Sequence, residues 1–307
     1  DGIHPSVVMC RGYYTRTVLA AFDWDGKELK QRWIFDSNTP EYKAYAGQGN
    51  HNLRVADVDG DGCDEIIYGS CAIDNNGKGL YSTGMGHGDA MHLTKFSPDM
   101  PGLQVWDCHE NKRDGSSFRD AATGKVFFQV KSGIDVGRCM AADIDPTNPG
   151  VEMWSWESKG LRNIKGEVVN PDIKTFSVNM AVWWDGDLLR ELLNKNVVSK
   201  YDWEAGVCKS LVTFEGAVSN NGTKATPCLQ GDILGDWREE VLLRTEDNTA
   251  LRLSPIATDY RFHTFLEDPV YRISIATQNV AYNQPTQPGF YFGPDLKGSF
   301  RGYEFKK

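Results

Sequence analysis

The 307-residue chain is long enough for one large domain or two small ones, and its 40% hydrophobic and 24% charged content is that of an ordinary globular protein. A formal net charge of −9 argues against nucleic acid or an anionic membrane surface as partner. No apolar run approaches the roughly 20 residues of a membrane span, and the opening Asp1-Gly2-Ile3-His4-Pro5 has neither the basic nor the apolar stretch of a signal peptide.

Short apolar runs of strand composition follow one another at 7–9, 18–22, 65–68, 103–106, 126–130, 151–156, 181–184, 241–244 and 273–277. Asp25-Gly26, Thr123-Gly124, Lys165-Gly166 and Asp185-Gly186 read as the turns of hairpins. Residues 188–193 are the best helix candidate, and the class is all-β. Seven cysteines (Cys10, Cys63, Cys71, Cys108, Cys139, Cys208, Cys228) lie scattered without a CxxC. That spacing does not indicate zinc, and buried free thiols are expected, with a Cys63–Cys71 pair as the alternative.

The strongest local signal is Asp57-Val58-Asp59-Gly60-Asp61-Gly62-Cys63-Asp64-Glu65. Carboxylates at alternate positions around glycines require a compensating positive charge, and an oxygen-rich loop around a hard divalent cation supplies it. Asp57, Asp59, Asp61 and Glu65 stand nearer to the calcium loops of integrin-type propellers than to an EF-hand, whose twelfth-position Glu is absent. Looser versions are Asp143, Asp145, Asn148 and Glu152, and then Asp232, Asp236 and Glu240. The alternatives are a solvated Asp-Gly turn for the first and an Asp–Arg structural pair, with Arg238, for the third. The repeats lie 86 and 89 residues apart, counted from Asp57 to Asp143 to Asp232. Such spacing predicts repeated antiparallel sheets, a β-propeller whose blades carry long insertions on one face.

A different chemistry is written at Gly84-Met85-Gly86-His87-Gly88-Asp89-Ala90-Met91-His92. Flexible residues between His87, Asp89 and His92, joined by His51 from Gly47-Gln48-Gly49-Asn50-His51, would let rings and carboxylate converge on a cation; isolated structural histidines are the bland reading. Asn221-Gly222-Thr223-Lys224 reads as a type I′ turn or a glycosylation sequon. Its catalytic reading needs Lys224 beside a cation or in a dry pocket, where a neutral amine is favoured. The loop Asn279-Val280-Ala281-Tyr282-Asn283 is polar and aromatic, of the sort that stacks on sugars.

Together these residues resemble the family 11 polysaccharide lyases, rhamnogalacturonan lyases on an eight-bladed, calcium-rich propeller. The matching stretches are Cys10-Arg11-Gly12-Tyr13-Tyr14-Thr15-Arg16, the loop at 57–65, Gly86-His87-Gly88-Asp89, Asn221-Gly222-Thr223-Lys224, Gly235-Asp236-Trp237-Arg238-Glu239-Glu240 and residues 278–289. The family is longer, and the chain looks like its C-terminal half, a catalytic propeller domain over 1–307 without its N-terminal blades; either a companion fragment completes it or the chain is an open, partial array with exposed sheet edges. The resemblance implies several Ca²⁺ ions, a cation site near His51, His87 and Asp89, and a substrate-facing loop of Asn221, Gly222, Thr223 and Lys224 with Asn279 and Tyr282 opposite. Arg16, Arg54 and Arg138 are unassigned partners for sugar carboxylates.

The expected reaction is calcium-assisted β-elimination at the rhamnose-α-1,4-galacturonate bond of the rhamnogalacturonan-I backbone of pectin. Lys224 and Tyr282 would serve as base and acid, in either order. The rivals are a non-catalytic, calcium-dependent carbohydrate- or protein-binding propeller and a glycoside hydrolase using Asp89 with Glu110. Calcium loops and a polymeric substrate point to a secreted or periplasmic bacterial protein.

Overall fold

Runs of β-branched and aromatic residues broken every few positions by Asp, Asn and Gly favour antiparallel hairpins. The computed structural model, which describes residues 4–156, 160–254, 264–279, 282–296, 299–300 and 303–304, is built from them. Its first three sheets are β1 (Val7–Arg11), β2 (Val18–Trp24) and β3 (Leu29–Asp36); β4 (Arg54–Ala56), β5 (Glu65–Tyr68), β6 (Cys71–Ile73) and β7 (Gly79–Ser82); and β8 (Met91–Thr94), β9 (Gln104–Cys108), β10 (Ser116–Asp120) and β11 (Val126–Val130). The next two are β12 (Cys139–Ala142), β13 (Glu152–Ser155), β14 (Leu161–Arg162) and β15 (Val168–Asn170); and β16 (Met180–Val182), β17 (Glu191–Asn194), β18 (Val197–Asp202) and β19 (Val207–Thr213). In all five, neighbours in the sheet are neighbours in sequence.

The sixth sheet departs from that order. It holds β20 (Ala217–Val218), β21 (Leu229–Gly231), β22 (Glu240–Thr245) and β23 (Leu251–Ser254). β22 pairs with β23 along Val241–Arg244 while the same stretch meets β21 at Leu242 and β20 at Arg244. A strand has only two edges, so β20 and β21 share one of them. They are two halves of an edge strand interrupted between residues 218 and 229.

A two-stranded ribbon, β24 (Ser299–Phe300) with β25 (Tyr303–Glu304), follows the one described α-helix, α1 (Pro269–Ala276). The apolar run at 273–277, expected as a strand, belongs to that helix. Asp268 caps it by accepting from Tyr271 N–H at 2.9 Å, and Pro269 fits the first helical turn, where no N–H is needed. Residues 188–193, expected as a helix, instead lead into β17.

The all-β class holds, but the propeller expectation does not. The described residues form six separate antiparallel sheets of three or four strands, none curled or closed. The acidic turn recurs because it is a local device between the first and second strands of a sheet, and it says nothing of how sheets are arranged. Nor does the long period reflect insertions. Each 86–89-residue interval contains two sheets, one of which opens on a weaker turn.

The chain divides into two compact units: Asp1–Leu93, Gly102–Cys139 and Ser155–Glu157 in the first, and Thr94–Pro101, Met140–Trp154 and Ser158–Lys307 in the second. In the first, Leu19 and Phe35 pack on Ile66, Tyr68, Cys71 and Ile73. In the second, Met140, Ala142 and Trp154 pack on Ala181, Leu192 and Tyr201, and Met180, Val182 and Leu193 pack on Ala217, Val241 and Leu243. All seven cysteines are free; Cys71, Cys108 and Cys139 are buried, whereas Cys10 is exposed. No described helix is long and apolar enough to cross a membrane.

Candidate functional site

In the first unit the glycine-rich turn is tied at both ends. Ser70 Oγ donates to the Gly86 carbonyl at 2.6 Å, and Gly86 N–H donates to Gln48 Oε1 at 3.0 Å. Gly88 forms a parallel bridge with Asn50, and a Cβ there would lie 1.8 Å from the Cys108 carbonyl oxygen. Only glycine permits that approach, and it brings His87 and Asp89 beside the 48–51 segment. Asn50 in turn donates to Asp107 Oδ1 at 3.1 Å, whose other oxygen is 3.1 Å from Arg119 Nη1 in a fully buried ion pair.

On this frame four side chains converge. The ligating atoms of His51, His87, Asp89 and Glu110 all lie within 4.8 Å of one another. His51 Nε2 is 3.3 Å from Asp89 Oδ1; His87 Nε2 is 3.7 Å from Asp89 Oδ1 and 3.4 Å from Glu110 Oε1. His87 Nδ1 lies 2.6 Å from the Gly49 carbonyl oxygen, which can only accept, so Nδ1 carries the proton. Nε2 is then left facing the two carboxylates, buried and without a hydrogen bond, the arrangement of a metal-ligating imidazole oriented through its far nitrogen. The Tyr13 ring stacks on His87 at 5.0 Å and 19°, and Tyr14 O–H donates to Glu110 Oε1 at 3.3 Å.

The electrostatics are those of crowded acids. Burial pushes the Tyr14 phenol up to about 12, with Glu110 and Asp89 adding to it. Burial also raises the Glu110 carboxyl, against the pull of His87. Burial works against charge on His87, but Asp89, the Gly49 carbonyl and Glu110 together outweigh it and raise its pKa. Two nitrogens and two carboxylates make a donor set for a divalent cation, and the imidazoles suit it to softer ions than an all-oxygen loop selects.

The loop at 57–65 is folded on its own carboxylates. Asp57 accepts from Gly60 and Gly62, Asp59 from Asp61, and Asp61 from Cys63, while the three acids lie within 4.8 Å of one another. Glu65 closes it: Oε2 accepts from Val58 N–H at 2.9 Å, and Oε1 is buried without a hydrogen bond. Burial, followed by repulsion from Asp59, Asp61 and Asp57, raises Glu65 to about 7. The second loop repeats the device. Glu152 Oε2 accepts from Ile144 and Asp145, and Glu152 Oε1 and Asp143 Oδ1 are buried without a hydrogen bond. The first set, oxygen-only, fits Ca²⁺; in the second, Asp143 Oδ2 already accepts from Tyr291 O–H at 2.6 Å, and the three acids do not converge as those of the first do. In the third loop Glu240 clamps Ile233 and Leu234 in the same way, but Asp232 is taken up by protein donors, Asp236 N–H, Thr264 Oγ1 and Phe265 N–H.

In the second unit Lys224 lies on the interruption between β20 and β21. Asn220 and Thr226 bridge its neck, and Asn221 and Ala225 both adopt positive φ, at 49° and 48°. Gly222 does not, so this is a closed loop and not the type I′ turn expected. An interrupted edge strand re-aims a side chain out of the sheet. Here it sets Lys224 Nζ 5.0 Å from the centroid of the Tyr282 ring.

Tyr282 is positioned independently. Its N–H donates to Asn279 Oδ1 at 2.9 Å, and Asn283 Nδ2 donates to Gln278 Oε1 at 3.0 Å. The Gln278 side chain then behaves as a strand partner of β21. Its Oε1 accepts from Gln230 N–H at 2.9 Å, and its Nε2 donates to the Gln230 carbonyl. The Gln230 side chain is anchored below on Glu239, a buried carboxylate that also accepts from Tyr271, Arg190, Thr286 and the Trp183 N–H. Val280 and Ala281 lie outside the described residues.

Several expected participants are elsewhere. His92 sits on β8 and bonds the Cys139 carbonyl at 3.0 Å; Glu110 stands in the cluster instead. Arg16 forms a bidentate surface pair with Asp36, and Arg54 and Arg138 are buried. A cavity of about 470 Å³ includes Asp145 and Trp203 but neither Lys224 nor Tyr282. Sequence reasoning places Gln278, Glu239, Tyr13 and Tyr14 in stretches that match the family but gives none of them a role, because the contacts that define those roles join distant segments.

Residues 1–301 match the model of the rhamnogalacturonan lyase family 11 C-terminal domain. The chain is 53% identical over 300 residues to the rhamnogalacturonan endolyase YesW of Bacillus subtilis (strain 168), covering 96% of this chain and 48% of YesW. It is 52% identical over 316 residues to the rhamnogalacturonan exolyase YesX of the same organism, covering 97% of this chain and 52% of YesX. The YesW crystal structure superposes with a TM-score of 0.94 at 51% identity over 100% of this chain and 53% of that one. The rhamnogalacturonan lyase PL11 of Bacillus licheniformis gives 0.93 at 54%, over 96% and 51%. The chain thus spans about half the length of the relatives it matches, and it belongs to rhamnogalacturonan lyase family 11, as that family's C-terminal domain.

Proposed function

We propose that this chain takes part in the lyase cleavage of rhamnogalacturonan, at the rhamnose-α-1,4-galacturonate bond of the rhamnogalacturonan-I backbone. The observation that carries the reading is the Lys224–Tyr282 pair, two proton-handling groups set against each other by separate supports. β-Elimination must remove the weakly acidic proton at C5 of galacturonate and protonate the departing O4. Lys224, acting as base, takes H5, the C5–H electron pair becomes the C4–C5 double bond, and the C4–O4 bond breaks. The Tyr282 hydroxyl then gives its proton to O4. Asn221, Gly222, Thr223 and Asn279 border the pair and are offered as contacts to the sugar. A divalent cation at His51, His87, Asp89 and Glu110 would supply positive charge to hold a uronate carboxylate of the polymer. Ca²⁺ in the acidic loops would hold those turns closed.

The hydrolase reading is less well supported, because Asp89 and Glu110 both face His87 Nε2 and do not flank a sugar-sized space. Relatives of nearly equal identity bear the names endolyase and exolyase, so identity does not choose the cleavage mode. Because the substrate is an extracellular polymer, we infer a secreted or periplasmic protein. The test is a pair of variants. Lys224→Ala should lower kcat by at least ~10² if Lys224 is the base, and Tyr282→Phe, which keeps the ring under Lys224, should do the same if the hydroxyl is the acid. Near wild-type formation of ultraviolet-absorbing product by Lys224→Ala would remove the base assignment.

A further inference from the structure

The segment between β16 and β17 contains a fourth acidic loop built like the first. Glu191, at the start of β17, accepts from Trp184 and Asp185 N–H through Oε2, as Glu65 does from Val58. Asp185 accepts from Asp187 N–H at 3.2 Å and Asp187 from Leu189 N–H at 2.9 Å, as Asp59 does from Asp61 at 3.2 Å and Asp61 from Cys63 at 2.8 Å. Asp59, Asp61 and Glu65 therefore correspond to Asp185, Asp187 and Glu191. The two loops differ at one carboxylate, since Trp183 stands where Asp57 does, and in what faces them. Glu65 Oε1 is buried without a hydrogen bond, as is Glu152 Oε1 in the loop at 143–152. Glu191 Oε1, on an equally buried residue, is 2.8 Å from Lys200 Nζ, which is also 2.5 Å from Asp185 Oδ2 and 2.6 Å from Asp187 Oδ2.

Strand register explains where the lysine comes from. Leu192 pairs with Ser199, which puts Lys200 opposite Glu191 on the third strand of its sheet. Ile66 pairs with Ile73 and Met153 with Arg162, so the matching positions elsewhere are Asp74 and Asn163. One sheet thus carries a carboxylate, one an amide and one an ammonium at the same place. An ammonium has three donors and meets three carboxylates at distances close to the 2.3–2.6 Å of calcium–oxygen bonds.

We propose that Lys200 is a built-in cation: its ammonium fills the position that the loop at 57–65 leaves for a divalent ion, so the 185–191 loop closes without metal and excludes it. The inference rests on the cation reading of the 57–65 loop. It predicts that this loop loosens when metal is stripped whereas the fourth does not, and that removing the lysine converts the fourth into a calcium site.

The experiment counts Ca²⁺ per chain by equilibrium dialysis for wild type, Lys200→Met and Lys200→Asp, the last supplying the residue type found at Asp74. It also follows amide exchange of peptides spanning 183–202 with calcium and with chelator. Each variant should bind one more Ca²⁺ than wild type, and its 183–202 peptides should become chelator-sensitive while those of wild type are not. A variant that unfolds on chelation and recovers with calcium supports the proposal equally. A folded variant with no added ion, or one whose unfolding calcium does not reverse, overturns the proposal. A wild-type chain that binds no calcium at all overturns instead the reading of the loop at 57–65.

Discussion

Gln278 offers the sharpest test of how the proposed proton-handling pair is held. Gln278→Ala removes three hydrogen bonds: one accepted from Gln230 N–H, one donated to the Gln230 carbonyl and one accepted from Asn283. At about 1 kcal/mol net each, the loop carrying Tyr282 loses about 3 kcal/mol of local stability, roughly a 150-fold shift in its opening equilibrium. Neither Lys224 nor Tyr282 is altered, so any loss of activity must come from their relative placement, where displacement by about 1 Å costs on the order of 10²-fold. Amide exchange across residues 278–284 should quicken by that factor while the rest of the chain is unchanged, and kcat on rhamnogalacturonan should fall much more than KM rises. Gln278→Glu keeps both accepting positions and should lose less. Unchanged exchange in this segment, or unchanged kcat in the presence of fast exchange, would refute the positioning argument.

Gly88→Ala forces a methyl group against the Cys108 carbonyl; metal binding at the His51–Glu110 cluster, measured by titration with Mn²⁺, should weaken by at least about 10-fold while the acidic loops still take calcium. Arg119→Met leaves Asp107 as a buried carboxylate without its ion pair, and chemical denaturation should register a loss of about 3–5 kcal/mol. The pH dependence has a defined sign. Burial raises Glu65 to about 7 and sets Asp143 and Glu152 well above the ordinary carboxylate range. Each such acid stabilises the fold at low pH and loses that contribution as pH rises through its folded-state value, for Glu65 from about 4.5 through about 7. In chelator the melting temperature should therefore fall between pH 5.5 and 8, and calcium should restore it chiefly at pH 8; a chelated protein equally stable at both would contradict this.

Local chemistry is legible in the sequence to the extent that it is contiguous. The strands at 65–68 and 126–130 match their expected bounds to the residue, because alternating or β-branched runs between Asp-Gly or Thr-Gly turns leave few options. The helix at 269–276 escapes a reading that takes its apolar run without the Asp268-Pro269 start that caps it. Glycine spacing groups His51, His87 and Asp89 correctly, yet it groups His92 with them wrongly, since strand β8 turns that ring toward the Cys139 carbonyl. Glu110, the fourth member, is brought in by Glu110 N–H bonding to the His87 carbonyl, a contact no spacing rule encodes. The fourth acidic loop looks like a plain Asp185-Gly186 turn in sequence, because its meaning depends on Lys200 through strand register. The propeller expectation fails for a related reason: a turn motif counts sheets without fixing how they are placed.

Elimination is the chemistry proposed for this chain. Its most direct test is incubation of the 307-residue chain with rhamnogalacturonan, with and without chelator, while the ultraviolet absorbance of the unsaturated uronide end is followed. Elimination requires absorbance that grows with time, stops on chelation, returns with added divalent cation and is lost in Lys224→Ala. New reducing ends without absorbance, or binding of the polymer with neither product, would contradict it.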